Sequence, residues 1–232
     1  MRIFIKYLLF ILVIIFSPTI KSYSFNLDKS SIVEWERVLK PLREMPVQDF
    51  GLIRSTYTFC DSRLMALIDS HAYKGMSPVQ TVMRLISDPE FMHNEPIIKI
   101  VHPYLTKVFS AKRISLSQYV DSPIQKMLDE FYNHPQIDLM KPINEIESKV
   151  SYLKDIEYDF AIIPRPKEWL SPIQYNEQMK NGMIKAHSLD QDIIQYWEIL
   201  KKALRENDTK MGKDAVCNLA QAVFNSAEQA GY

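Results

Sequence analysis

Residues 73–100 read YKGMSPVQTVMRLISDPEFMHNEPIIKI, and their punctuation decides the fold class. Lys74-Gly75 makes a turn in which Gly75 takes positive φ; Ser77 caps a helix, and Pro78 fills its first position, where a missing N–H costs nothing. Val79, Val82, Met83 and Ile86 form the apolar face. Asp88-Pro89 stops the helix, because the residue before a proline is steered away from the α region. Pro96 then opens residues 97–101, which are too short and β-branched for a helix and read as a strand.

Working outward, the same signals give more helices. Ser31 caps a helix over 31–44, with Ile32, Trp35, Val38, Leu39 and Leu42 on one face. Residues 45–60 hold the breakers Pro46 and Gly51 and then a β-branched, aromatic run, which predicts an extended loop and a short strand over 53–58. Gln48 and Asp49 are polar groups at this turn, and the simplest role for Asp49 is to bond nearby backbone amides. A short helix starts at Asp61, with Leu64, Leu67 and Ile68 inward.

Downstream, residues 104–109 read as a helical turn. Ser122-Pro123 repeats the Ser-Pro start and leads a helix to about Tyr132, with Ile124, Met127, Leu128 and Phe131 inward. Residues 143–159 carry Ile143, Ile146, Val150, Leu153 and Ile156 on one stripe, an amphipathic helix. Residues 160–163 form a second strand, expected to pair with 97–101. Residues 165–188 read as a loop anchored by Trp169 and Tyr175, and helices over 190–206 and 213–228 form an antiparallel hairpin about Asn207-Asp208. The class expected is mainly α with a small β element (α+β), in one domain over 25–232 with a subdivision near 165–188.

Composition agrees with a globular chain: 232 residues, 47% hydrophobic and 24% charged. The first 24 residues hold Arg2, Lys6 and Lys21 and no acid, which leaves 25 bases against 28 acids beyond them. That balance gives no nucleic-acid footprint. Arg2 and Lys6 precede the apolar run YLLFILVIIF at 7–16, and Ser22 and Ser24 flank a cleavage point, so residues 1–24 read as an export signal. A spanning helix needs about 20 apolar residues. The expectation is a soluble periplasmic domain, with an uncleaved tether as the alternative. Cys60 and Cys217, in such a compartment, either pair or stay as buried thiols, and their apolar helical settings favour thiols.

No constellation carries chemistry. His71, His93, His102, His134 and His187 show no metal-ligand spacing, and CxxCH, GxSxG, P-loop and dinucleotide patterns are all missing from the sequence. Met65, Met83 and Met127 sit on apolar helix faces and read as core. An enzyme acting through His102 or Asp49 has no partner residues to name. The residues point to a non-enzymatic domain without catalytic or metal-binding groups.

Several short motifs resemble the extracytoplasmic domain of cytochrome c biogenesis proteins of the ResB/CcsA type, the system II haem-delivery proteins. They are Pro46-Val47-Gln48-Asp49 with Gly51 and Arg54, the helix start Tyr73-Lys74-Gly75-Met76-Ser77-Pro78, the break Asp88-Pro89-Glu90, and Glu95-Pro96 leading to Ile100. Trp169-Leu170-Ser171-Pro172 and the helix bearing Trp197 are also similar, so the resemblance spans most of 45–205. Leu52, Ser55 and Tyr57 depart from the arginine, proline and aspartate expected in the first motif. The transmembrane histidines and tryptophan-rich loop with which the family handles haem have no counterpart, so no haem ligand transfers. The resemblance implies an accessory domain beside a membrane-embedded cytochrome c assembly protein, with haem handled by that partner and apocytochrome c as a further contact. It also implies interaction roles for Gln48, Asp49, Gly51, Tyr73, Lys74, Gly75, Pro78, Asp88, Pro89 and Pro96. A generic periplasmic ligand-binding or envelope-interaction module is the alternative.

Overall fold

A computed structural model describes residues 28–122, 137–185 and 187–232. The expected export segment 1–24 and the helix expected over 123–132 lie outside them. Among the described residues there are ten α-helices and two two-stranded antiparallel sheets, the mainly α class with a small β element that the sequence predicts.

Helix α1, Lys29–Val38, starts one turn earlier than expected. Asp28 is its cap, accepting from the Ser31 amide at 2.6 Å. The helix also stops earlier, because Pro41 has no N–H to donate, and Lys40–Glu44 tightens into a 3-10 turn. Residues 45–60 are likewise not one loop and one strand. Strands β1 (Pro46–Asp49) and β2 (Leu52–Ser55) form a hairpin in the register Val47↔Arg54 and Asp49↔Leu52. Phe50 (φ 49°) and Gly51 (φ 78°) make its two-residue turn with both residues in the left-handed region, which type I′ hairpins require. Ser55 then caps α2, Thr56–Ile68, accepting from the Thr58 amide at 3.2 Å. The aromatic run therefore divides between a strand and a helix. Thr56 closes the base of the hairpin, its amide and its hydroxyl each donating to the Met45 carbonyl at 2.8 Å.

The central stretch folds as its punctuation dictates. Tyr73 and Met76 pair across the Lys74-Gly75 turn, and Ser77 caps α3, Pro78–Ser87, whose ten residues are all buried. Asp88 ends α3 and also caps α4, Pro89–Asn94, accepting from the amides of Glu90 and Phe91 at 3.0 Å each. Strand β3, Ile98–Lys99, pairs with β4, Arg113–Ile114, instead of with 160–163. Between them lies α5, Pro103–Phe109, which Ser110 ends in the left-handed conformation (φ 52°), turning the chain back on itself within reach of β3. A local partner thus displaces the distant one. Residues 160–163 meet other segments: Ala161 bridges Gln48 on β1, and Ile163 bridges Leu170.

Helix α6, Leu116–Val120, opens on a Ser115/Gln118 capping box. Helix α7, Ile137–Asp155, carries the expected stripe of Ile143, Ile146, Val150 and Leu153, all buried, and Ile156 beyond its end is buried too. The predicted loop 165–188 contains α8, Pro172–Lys180, opened by Ser171, Pro172 and Gln174 in a second capping box. That Ser-Pro-x-Gln signature is the same as Ser77-Pro78-Val79-Gln80. Helices α9 (Ser188–Glu206) and α10 (Thr209–Gln229) form the expected hairpin about Asn207 (φ 55°), and Asp208 caps α10.

The α9–α10 hairpin is the base on which the rest is laid. α3 packs on α9 and is held from its other sides by α2 and α4, while α1 and the 3-10 turn lie against α10. Trp35, Trp169 and Trp197 are fully buried, and the Phe59, Phe160 and Trp197 rings stack in a chain with centroids 5.5 and 5.2 Å apart. Cys60 is buried and Cys217 exposed, both as free thiols, and burial pushes the Cys60 thiol up. No helix among the described residues is long and apolar enough to cross a membrane.

One glycine marks the tightest helix contact. A Cβ on Gly212 of α10 would sit 2.6 and 2.8 Å from carbons of the buried Trp35 ring. Alanine in a helix interior normally gains up to about 1 kcal/mol over glycine, whereas overpacking costs about 1–3 kcal/mol. Gly212→Ala is therefore expected to destabilise the fold by about 1 kcal/mol or more in urea unfolding, the reverse of the propensity rule.

Candidate functional site

The motif residues gather into two ion-paired frames. The first is built on the β1–β2 hairpin. Asp49, 3% exposed, accepts from Arg63 at 2.9 Å and lies 3.3 Å from Arg54. Asp49 therefore pairs with arginines instead of shaping the turn through backbone amides, which corrects the sequence expectation. Arg63 projects from the apolar side of α2, 4% exposed, and also meets Asp159 at 3.1 Å. The rings of Phe50, Phe59 and Tyr152 surround its guanidinium at 5.2, 4.8 and 5.3 Å, so an otherwise costly buried cation is held by two carboxylates and three π faces. Gln48 extends the frame, its side-chain oxygen accepting from the Trp169 amide at 2.8 Å while its own amide donates to Ala161. Gly51 supplies the second turn position.

The second frame lies along the central stretch. The Tyr73 hydroxyl donates to Glu95 at 2.5 Å and to the Pro96 carbonyl at 3.2 Å. Lys74 reaches the same Glu95 oxygen at 2.5 Å, and Arg113 stands over the Tyr73 ring at 5.4 Å. Burial, together with the hydrogen bond to Glu95 and its charge, pushes the Tyr73 hydroxyl up, so it stays a donor. Gly75 (φ 83°) sets the turn that brings Lys74 back to Glu95. Pro78, Asp88 and Pro89 serve as helix starts and caps.

All ten residues expected to have interaction roles therefore sit in internal frames, turns or caps. Sequence reasoning missed Arg63 and Arg113 and gave Glu95 a place in a motif but no role, and these three hold the frames together. Arg63 was detectable, because it falls in the helical stripe between Phe59, Cys60 and Leu67 where a cation demands a partner. His102 sits before α5 with no carboxylate in ion-pair range among the described residues. Those residues include no group of three His, Cys, Asp or Glu side chains placed to hold a metal.

The hairpin tip stays largely exposed, although the Phe50 ring also rests over Arg63. Phe50 is 78% exposed, Leu52 58% and Ile53 40%, and Tyr57 joins them at the start of α2. Leu52 and Ile53 lie on opposite faces of the ribbon, so the tip is apolar on both sides. Phe50 also occupies a left-handed position that asparagine fills more easily, a strain of about 1–2 kcal/mol in exchange for an exposed ring. Elsewhere an open cleft of about 380 Å³ is lined by Arg165, Lys167, Leu170 and Gln178, with Arg165 paired to Asp190 at 2.7 Å.

No protein-family model and no curated protein matches the chain.

Two substitutions test the first frame. Asp49→Ala leaves Arg63 buried with only Asp159 as carboxylate partner and is expected to cost about 3 kcal/mol in urea unfolding, with Asp49→Asn costing less. At Asp159, burial raises the carboxyl above its ordinary value despite the attraction of Arg63. The folded state then keeps a proton that the unfolded state has lost. The contribution of this group to stability therefore falls as pH rises from the unfolded to the folded value. Asp159→Asn is expected to remove that fall from the pH–stability profile in the acidic range.

Proposed function

We propose that this chain is a non-catalytic periplasmic accessory domain that works beside a membrane-embedded cytochrome c assembly protein. Haem is handled by that partner, and apocytochrome c is a further contact. The reading rests on the resemblance of the quoted motifs and on one geometric observation: the motif residues are engaged in internal frames, and the apolar tip of the hairpin they brace is left exposed. A strained, solvent-facing Phe50 on a rigid mount is suited to insertion into an apolar groove of a protein partner and offers no group for bond chemistry.

The cleft beside Arg165 favours a second reading, a periplasmic ligand-binding or envelope-interaction module. That reading expects a small polar ligand to raise the melting temperature, and the first reading does not.

The two are separated in cells and on the purified protein. Deleting the gene is expected to lower holocytochrome c, and affinity purification from membranes is expected to recover a multi-span haem protein. Phe50→Asn relieves the left-handed turn but removes the ring over Arg63, so it should leave the stability of the isolated domain within about 1 kcal/mol of the parent and yet reduce that recovery. Unchanged holocytochrome c, or full recovery with Phe50→Asn, would sink the proposal.

A further inference from the structure

We infer that the lobe between β3 and β4, residues 100–112, docks on the surface of an anionic lipid bilayer. Nothing in this step requires the protein partner proposed above.

The lobe is a compact excursion with one side turned out. The β3–β4 pair is extended by the Ile100 amide donating to the Lys112 carbonyl at 2.9 Å, and the Ala111 amide returns to Thr106 at 3.2 Å. Leu105 is buried, and Val108 and Phe109 pack half-buried on the core, so α5 presents this side to the body of the domain. Tyr104 and Lys107, three residues apart, share another face. Tyr104 is 44% exposed, and Val101, just before the helix, is 59% exposed. Lys107 and Lys112, in the same lobe, are both exposed.

Charge selects the occupant. Between Glu95 and Asp121 the sequence has Lys99, Lys107, Lys112 and Arg113 and no acid, in a chain that carries more acids than bases beyond residue 24. Lys99 is paired with Asp69 at 3.1 Å, and Arg113 belongs to the Tyr73 frame. Lys107 and Lys112 make no ion pair among the described residues. They are cations without an ion-pair partner among the described residues, in the same lobe as an exposed tyrosine and an exposed valine. A polyphosphate such as a nucleic acid would use the lysines and leave Val101 and Tyr104 in water. An anionic bilayer uses both: lysine stems lie along the interface with their ammonium groups at the headgroups, tyrosine prefers the interfacial layer, and valine reaches the acyl boundary. Each lysine near such a surface contributes about fivefold in affinity, so the attachment is weak and sensitive to salt.

The test reads the lobe itself, so that the apolar residues 7–16 of the full chain do not confuse it. Tyr104→Trp places an emitter on the lobe, while Trp35, Trp169 and Trp197 are fully buried and supply a constant background. Titration with vesicles containing phosphatidylglycerol is expected to shift the new emission to the blue and to allow quenching by brominated lipid. Pure phosphatidylcholine vesicles should do neither. Adding Lys107→Gln and Lys112→Gln on that background should weaken the response about twenty-fivefold, and the two Lys→Glu changes should weaken it further. Phe50→Asn on the same background should leave it unchanged. The inference is overturned if anionic vesicles produce no shift, if the lysine variants respond as the parent does, or if soluble polyglutamate gives the shift that vesicles do not.

Discussion

A single amide oxygen, the side-chain carbonyl of Asn207, ties the two ends of the chain to its centre. It accepts from the Trp35 indole at 2.7 Å, from the Ser31 hydroxyl at 3.1 Å and from the Arg84 guanidinium at 3.1 Å. Helix α3 must bring Arg84 inside, because all of its faces are covered, and burial lowers that guanidinium from its usual value to about 10. The acceptor sits at the left-handed turn between α9 and α10, a conformation that asparagine tolerates better than most residues. The residue that turns the helical hairpin therefore also accepts from the buried cation and from two side chains of α1. The close approach of Gly212 to Trp35 follows from the same junction, since the indole is held in one orientation.

The frames around Asp49 and Glu95 repeat this logic elsewhere in the fold. Each uses buried carboxylates and cations from segments that a purely apolar core would let slide. A buried ion pair is weak evidence of net stability, since its desolvation offsets much of its attraction. Its effect here is geometric: Arg63 meets Asp49, Asp159 and three rings in one arrangement, and the hairpin is braced against α2 and α7. The bracing at the base of the hairpin accompanies exposed apolar side chains and a left-handed turn at its tip.

The two outward-facing regions differ in their charge. The hairpin tip is apolar on both faces, the form that a groove in a protein accepts. The β3–β4 lobe exposes Val101 and Tyr104 together with two lysines that make no ion pair among the described residues, the form that a charged interface accepts. They differ because the cations near the hairpin, Arg54 and Arg63, are drawn inward by Asp49, whereas no acid lies close in sequence to Lys107 and Lys112.

The sequence by itself determined the local starts and stops. Ser77-Pro78, Asp88-Pro89 and Asn207-Asp208 each act within four residues, through a capping bond, a missing N–H or a left-handed turn, and their elements form where the pattern places them. It also determined the stripes of α7 and α9, because helical periodicity is a local property. Where a cap was overlooked, at Asp28, Ser55 and Ser171, the error was equally local and the signal was present. Tertiary structure alone decided the partners. The strand at 98–99 takes 113–114 instead of 160–163, Gln48 meets Trp169 across 121 residues, and Trp35 meets Asn207 across 172. Such contacts depend on which helix faces arrive together, and no local pattern encodes that. Asp49 and Tyr73 are visible in the sequence as polar groups near turns, but only the arrival of Arg63 and Glu95 makes them parts of a frame.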